Sequence, residues 1–534
     1  MRRSEVWFEK LRGLRWVVVA IGLVEALAGD RPNIVLIYMD DLGYGDVGCY
    51  GARAIPTPNM DRLAREGVRF TQAYATSATC TPSRYGLLTG EYPWRKPGTG
   101  ILPGNAPLII EPGRTTVASL LRRAGYRTAV VGKWHLGLGS GALDWNGEIR
   151  PGPLEVGFEY AFIMPATNDR EPCVYVEHHR VVGLDPSDPI EVSYGRPIPG
   201  VMIAREHPEL LRMRFTHGHD QGIVNGIPRI GFRKGGTAAV WKDETMAEEF
   251  VRRAVAFLEA HHRDPIFLYF ALHQPHVPRV PNPKFVGCTA LGPRGDVIVE
   301  ADWCVGEILA ALERLGLATR TWVILTSDNG PVLNDGYDDE AVSRNGDHRP
   351  AGPLRGGKYS RFEAGTRVPF LSWWPGRIQP GVSDALVSQV DFLATVAELV
   401  GVPLAPDDAP DSLPSLAAWL GQSPKGRDHV VVQGVAREQL AIRNERWKLL
   451  PPCAGPATNT NTGIELGNAP VPQLYDLAAD PGERRNVAVE HPEIVEDLQV
   501  QLAKIRSGGY SRPGAGPRSR ASSTPSADAE WKGD

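Results

Sequence analysis

The chain has 534 residues, 58 Lys and Arg against 62 Asp and Glu, and a formal net charge of −4. That length exceeds one ordinary core and predicts two packed domains with tails. The near balance of charge supplies no basic face and argues against nucleic acid as a partner. Cys49, Cys80, Cys173, Cys288, Cys304 and Cys453 contain no CxxC pair and no zinc spacing, and beyond residue 30 no run is long and apolar enough to span a bilayer stably.

Residues 1–28 read as a signal peptide. Arg2, Arg3, Lys10, Arg12 and Arg15 form a positive region, Trp16 to Leu27 an apolar run, and Ala26-Leu27-Ala28 a small-x-small cleavage site. Export to a bacterial periplasm or beyond is the expectation, with a mis-called start codon or a retained anchor as the alternatives because Glu25 interrupts the apolar run; export would permit disulfides of unspecified connectivity.

Asn33 to Met39 is a short apolar run suited to a buried parallel strand, and it runs into Asp40-Asp41. Thr57-Pro58 opens a helix that Gly67 closes. In Ala78 to Gly90, Thr79 to Thr81 are capping residues, Pro82 fits a first helical turn, and Leu87, Leu88 and Gly90 end the run. Cys80 then sits at a helix N-terminus, where free N–H groups favour negative charge; a disulfide, a buried small hydrophobe and a low-pKa nucleophile are all open to it. Val117, Leu120, Leu121 and Ala124 make a helical stripe before the strand Arg127 to Val131, which leads into Lys133-Trp134-His135. Lys133 and His135 are two apart, so extended backbone would point both to one face.

Residues 138–240 read as a long irregular insertion. Met246 to His261 is helical, Pro265 to Leu272 a strand ending in His273-Gln274-Pro275-His276, 294–316 a helix, and Thr321 to Thr326 a strand ending in Ser327-Asp328-Asn329. Helices alternating with apolar strands predict an α/β sheet covered on both faces. Four strands running into polar clusters predict one site beyond their carboxyl ends. From about 428 short β-type runs and a helix from His491 to Ile505 predict a smaller α+β unit over 428–506, after a main domain over 29–427; residues 507–534, rich in Ser, Pro, Gly and Arg, predict disorder.

Cys80-Thr81-Pro82-Ser83-Arg84 followed by Leu88-Thr89-Gly90 resembles the signature of the type I sulfatases of the alkaline-phosphatase superfamily. Gly132 to Gly137, His273 to Pro278, Asp328-Asn329-Gly330 and Leu354 to Lys358 resemble further motifs of that family, in its order. The resemblance covers residues 33 to about 505 and implies an alkaline-phosphatase-like fold: a large mixed, mostly parallel sheet between helices. It implies that Cys80 is oxidised to formylglycine by a formylglycine-generating enzyme, and that the aldehyde hydrate attacks a sulfate ester and later releases sulfate. It implies Ca²⁺ on Asp40, Asp41, Asp328 and Asn329, a hard-oxygen set, with residue 80 supplying a further oxygen. His135 would bond the formylglycine hydroxyl, Lys133 would lie near it and the sulfate, and Arg84 would hold it. His276 would contact the ester and could protonate the leaving oxygen, and Lys358 would neutralise charge there. His273 and Arg367 read as structural, His273 through a hydrogen bond.

The insertion segment Pro165 to Glu177 resembles a carbohydrate-sulfatase subgroup. Asn168, Asp169 and Arg170 could read sugar hydroxyls or a carboxylate, or form a surface turn. Thr216 to Asp220 is a further pocket-wall candidate. The expected reaction is hydrolysis of a sulfated polysaccharide or oligosaccharide, with 6-O-sulfated galactose or N-acetylgalactosamine preferred. The alternatives are a formylglycine-dependent phosphodiesterase or phosphonate monoester hydrolase, and a non-catalytic protein that binds sulfated glycan.

Overall fold

The computed structural model describes residues 31–516; the leader, and the tail beyond 516, lie outside the described residues. At its centre Asn33–Met39 runs parallel between Ile266–Ala271 and Thr321–Ser327. Beyond Ile266–Ala271 lie Arg127–Lys133 and Tyr160–Met164, also parallel, then the short antiparallel strands Val176–Glu177 and Arg180–Val181. On the other side Phe370–Trp373 and Val68–Phe70 pair antiparallel, and Gly381–Ser383 ends a 10-stranded mixed sheet.

Every residue of Asn33–Met39 is buried because both faces of the strand are covered. Ile34, Leu36 and Tyr38 pack with the helices Val117–Arg123 and Phe392–Val400. Val35, Ile37 and Met39 pack with Pro58–Glu66, Met246–Ala260 and Pro293–Arg314. The period of two thus splits one apolar run between two cores.

The sequence reading of 138–240 as irregular is corrected at Tyr160–Met164, a fourth neighbour in the parallel block. Tyr-Ala-Phe-Ile-Met is a five-residue apolar run, and its β signal is hidden by the Gly- and Pro-rich segments around it. Among the described residues, all six cysteines are free.

Val430–Gln433, Leu440–Arg443, Trp447–Leu450 and Gln473–Asp476 form a separate antiparallel sheet. One face packs on the helix Pro492–Ser507 through Leu498 and Leu502; the other sets Val430, Val432, Leu450 and Tyr475 against Tyr74 and Phe362 of the large unit. Residues 507–516, expected to be disordered, lie along 406–411: the amides of Ser511 and Arg512 donate to the Pro410 carbonyl at 3.0 and 2.9 Å.

Candidate active site

The predicted clusters meet at the carboxyl edge of the parallel strands. Asp40 and Asp41 follow Asn33–Met39, Lys133 ends Arg127–Lys133, His276 follows Ile266–Ala271, and Asp328 and Asn329 follow Thr321–Ser327. The helix Cys80–Thr89 begins at the cysteine and stops at Gly90, which takes φ +64°. Its expected side-chain caps are not made. Thr79 forms no capping bond, and Thr81 instead donates its hydroxyl to the His135 carbonyl at 3.1 Å.

Cys80 is 2% exposed, and its Sγ lies 3.2 Å from Nδ1 of His135. Burial pushes the thiol up, with Lys133 and Lys358 opposing, so the low-pKa-thiolate reading does not hold. Burial, reinforced by Lys133 and Arg170, pushes His135 well below its ordinary value and keeps the ring neutral. Its Nε2 faces the Leu102 carbonyl at 2.9 Å and so carries the proton, which leaves a lone pair on Nδ1 aimed at residue 80. His135 takes φ +52°. The extended-backbone argument for pairing it with Lys133 therefore fails, although both side chains enter the site.

Arg84 makes no hydrogen bond to Cys80. Its Nη2 and Nε donate to Asp328 Oδ2 at 2.7 and 3.1 Å, and Nη1 to the Lys133 carbonyl and the Tyr269 hydroxyl at 3.3 Å each. Lys133 Nζ donates to Asp40 Oδ2 at 2.6 Å. Lys358 Nζ donates to Asp41 Oδ2 at 2.9 Å and to Asp335 Oδ2 at 2.7 Å. The Asp41 amide donates to Asp328 Oδ1 at 3.2 Å, and Asn329 Nδ2 to Asp41 Oδ1 at 2.7 Å. Four carboxylates (Asp40, Asp41, Asp328, Asp335) thus face three fixed cations (Arg84, Lys133, Lys358), all buried.

That excess sets the direction in which each carboxyl is pushed. Burial, together with neighbouring carboxylates, pushes Asp40 well up and Asp41 up, against Lys133 and Lys358. At Asp328 the same burial is outweighed by Arg84 and Lys133, and its carboxyl is held down. Asp40 Oδ1 and Asn329 Oδ1 are buried without a hydrogen-bond partner. Ligand atoms of Asp40, Asp41 and His276 lie within 4.8 Å of one another. Orphaned hard oxygens beside uncompensated negative charge fit a divalent hard cation.

His276 donates from Nδ1 to the Val277 carbonyl at 2.6 Å, with Nε2 3.9 Å from Asp41 Oδ2; burial, then Lys358 and Lys133, push its pKa well down. The hydrogen bond expected of His273 is absent at its buried Nδ1, and the ring packs against Phe250 instead. Arg367 is tied to the Thr71 carbonyl and to Glu363, away from these groups.

Asn168, Asp169 and Arg170 follow Tyr160–Met164 and arrive at the same edge, so the surface-turn reading does not hold. Asn168 and Asp169 are each 2% exposed. Asn168 spends its Nδ2 on the Pro278 carbonyl at 3.1 Å. Asp169 accepts from Arg170 Nη1 at 2.8 Å and faces His219 Nε2 at 2.8 Å. Burial pushes the Asp169 carboxyl up, but Arg170 and His219 outweigh it and hold it well below the usual range. Sequence reasoning reached His219 only as part of a pocket-wall segment, and it missed Asp335 and Tyr359 altogether. Tyr359 donates its hydroxyl to Asp335 Oδ1 at 2.8 Å. No motif or periodicity marks either residue.

The profile of the family described as Sulfatase matches residues 32–402. The chain is 50% identical over 478 residues to an N-acetylgalactosamine-6-O-sulfatase of Bacteroides thetaiotaomicron, covering 89% of this chain and 93% of that one. It is 34% identical to human arylsulfatase A, covering 91% and 90% of the two chains. A solved structure from work on glycosaminoglycan metabolism by Bacteroides thetaiotaomicron superposes with a TM-score of 0.88 at 50% identity, over 90% of this chain and all of that one.

Proposed function

The chain belongs to the sulfatase family and is a sulfuric ester hydrolase, and we propose that it cleaves a 6-O-sulfate from N-acetylgalactosamine or galactose in a sulfated glycan. The observation that carries the reaction is the buried Cys80 against the lone-pair nitrogen of His135. The choice of sugar rests on the 50% identical relative, named for 6-O-sulfated N-acetylgalactosamine. The relatives favour neither the phosphodiesterase nor the non-catalytic alternative.

We infer that Cys80 is converted to formylglycine by a formylglycine-generating enzyme. The hydrated aldehyde supplies the nucleophilic oxygen that a buried, uncharged thiol lacks. Asp40, Asp41, Asp328 and Asn329 would hold Ca²⁺, with an oxygen from residue 80, and the ion would supply positive charge for the ester's oxygens.

The chain's own residues do the rest. His135 offers Nδ1 as a proton acceptor at residue 80, and its bond to the Leu102 carbonyl fixes the tautomer. Lys133 and Lys358 are buried ammonium groups that attract the sulfate, and Lys358 also meets charge on the leaving oxygen. His276 donates its ring proton to the Val277 carbonyl and holds Nε2 toward Asp41 at the same edge, so it would protonate the departing sugar oxygen only after Nε2 takes up a proton. Arg84 fixes Asp328. Asp169 orients Arg170, whose remaining donors can read the sugar, and braces His219, whose two ring nitrogens face Asp169 and the His217 carbonyl, while Asn168 ties that loop to Pro278.

The domain reading stands as a proposal: catalysis in 29–427 and support from 428–506. Among the described residues no helix is long and apolar enough to cross a membrane. We propose a periplasmic or secreted location on the leader.

The test is mass spectrometry of the Cys80 peptide from protein made with the maturation enzyme. A loss of about 18 Da from cysteine accompanies thiol-to-aldehyde conversion. Unmodified cysteine in active protein would refute the assigned nucleophile.

A further inference from the structure

Lys358 is held by two carboxylates of different standing. Asp41 belongs to the oxygen set assigned to the cation, so its charge is committed there. Asp335 lies outside that set. It is seven residues past Asp328 and 8% exposed, with its Oδ2 2.7 Å from Lys358 Nζ. A lysine ammonium has three donors. One points to Asp41 and one to Asp335, which leaves one for an incoming anion.

Asp335 is itself held in place. Its Oδ1 accepts from the Tyr359 hydroxyl at 2.8 Å. The Lys358 amide donates to the Pro331 carbonyl at 2.9 Å and the Tyr359 amide to the Ala78 carbonyl at 2.8 Å, so this segment is bound both to the chain after Asn329 and to the chain before Cys80. Gly336 takes φ +106°, and a Cβ there would meet His219 Nδ1 at 1.9 Å. Tyr337 then pairs with Phe215 and donates its hydroxyl to the Pro228 carbonyl at 2.6 Å. Backbone on both sides of Asp335 therefore has little freedom to follow a moving lysine.

We propose that Asp335, oriented by Tyr359, is the positioning residue that anchors Lys358 at the scissile ester. It touches no reacting atom in this assignment and acts through the lysine. The inference rests on the reading of Lys358 as the group that meets the leaving oxygen.

A double-mutant cycle on the matured, metal-loaded enzyme tests it, read as kcat/KM over aryl sulfates whose phenols differ in acidity. Asp335→Asn keeps the shape and can still accept from Tyr359 but loses the ion pair. It should lower kcat/KM by about 10- to 100-fold, the range of a hydrogen bond to a charged group. The loss should be greatest for the poorest leaving group. In a Lys358→Ala background the same substitution should cost less than about twofold, as coupled residues are non-additive. Tyr359→Phe should give a smaller loss with the same leaving-group trend, and serves if Asp335→Asn folds poorly. Equal losses in the two backgrounds overturn the anchoring role. Non-additive losses that ignore the leaving group support the anchor and contradict the leaving-oxygen role of Lys358. The two failures are thus separable.

Discussion

At the scale of single residues, buried charge decides both chemistry and stability. His135→Ala should lower kcat by about 10²- to 10⁴-fold, the range of a positioned acid–base group, with the Cys80 peptide still converted. Steady-state kinetics with the peptide mass as control checks this. Asp46 is the stability counterpart. It caps the turn after Asp41 by accepting from the Gly43 amide at 2.8 Å, and it pairs with Arg294 at 2.6 Å and His348 at 2.8 Å. Burial pushes its carboxyl up, but Arg294 and His348 outweigh it and hold it at about 2 against an ordinary 3.8. A depressed folded value stabilises above the unfolded value, and that stability is lost as pH falls toward 2; here it amounts to ~2 kcal/mol. The wild-type advantage over Asp46→Asn in urea unfolding should therefore shrink as pH falls from about 5 to about 2. Arg294→Met, which strands the carboxylate, should cost about 3–5 kcal/mol at neutral pH.

At the scale of elements, Thr116 caps the helix Val117–Arg123. Its Oγ1 accepts from the Ser119 amide at 3.1 Å and donates to the Val156 carbonyl at 2.6 Å, and the Ser119 hydroxyl accepts from the Thr116 amide at 2.8 Å. Thr116→Ala should cost about 1–2 kcal/mol and speed amide exchange over 117–123, which hydrogen-exchange mass spectrometry reads directly. The main strands were legible as short apolar runs, and a helix such as Pro58–Glu66 because Thr57-Pro58 opens it and Gly67 closes it. The strand ends were legible as a site because Asp40, Lys133, His276 and Asp328 each follow an apolar run. What escaped lies in loops. Tyr160–Met164 is short and flanked by turn-formers, and the left-handed turn at His135 belongs to tertiary packing. Asp335 gains its meaning only when folding brings it to Lys358, 23 residues on.

At the scale of the whole molecule, a buried ionic knot joins the small sheet to the short helix Glu363–Thr366 of the large unit. Lys448 of Trp447–Leu450 reaches Glu363 at 3.0 Å and Glu483 at 3.1 Å, and Arg443 and Arg367 flank Glu363. Burial would raise Glu363, but Lys448 and Arg443 hold it at about 2, while burial pushes Glu483 up to about 7. Lys448→Met should lower stability by about 3–5 kcal/mol and loosen the small sheet first, giving an early step in thermal unfolding. A second tie lies closer to the site: Arg361, three residues from Lys358, donates to the Leu440 and Gly467 carbonyls. The proposed reaction of this site is hydrolysis of a sugar 6-O-sulfate. Its most direct test is sulfate release by the matured enzyme from N-acetylgalactosamine 6-sulfate and from the 4-sulfate isomer. kcat/KM should be at least about 100-fold higher for the 6-sulfate, within what a polar pocket can discriminate. Equal rates, or release from the 4-sulfate alone, would contradict it.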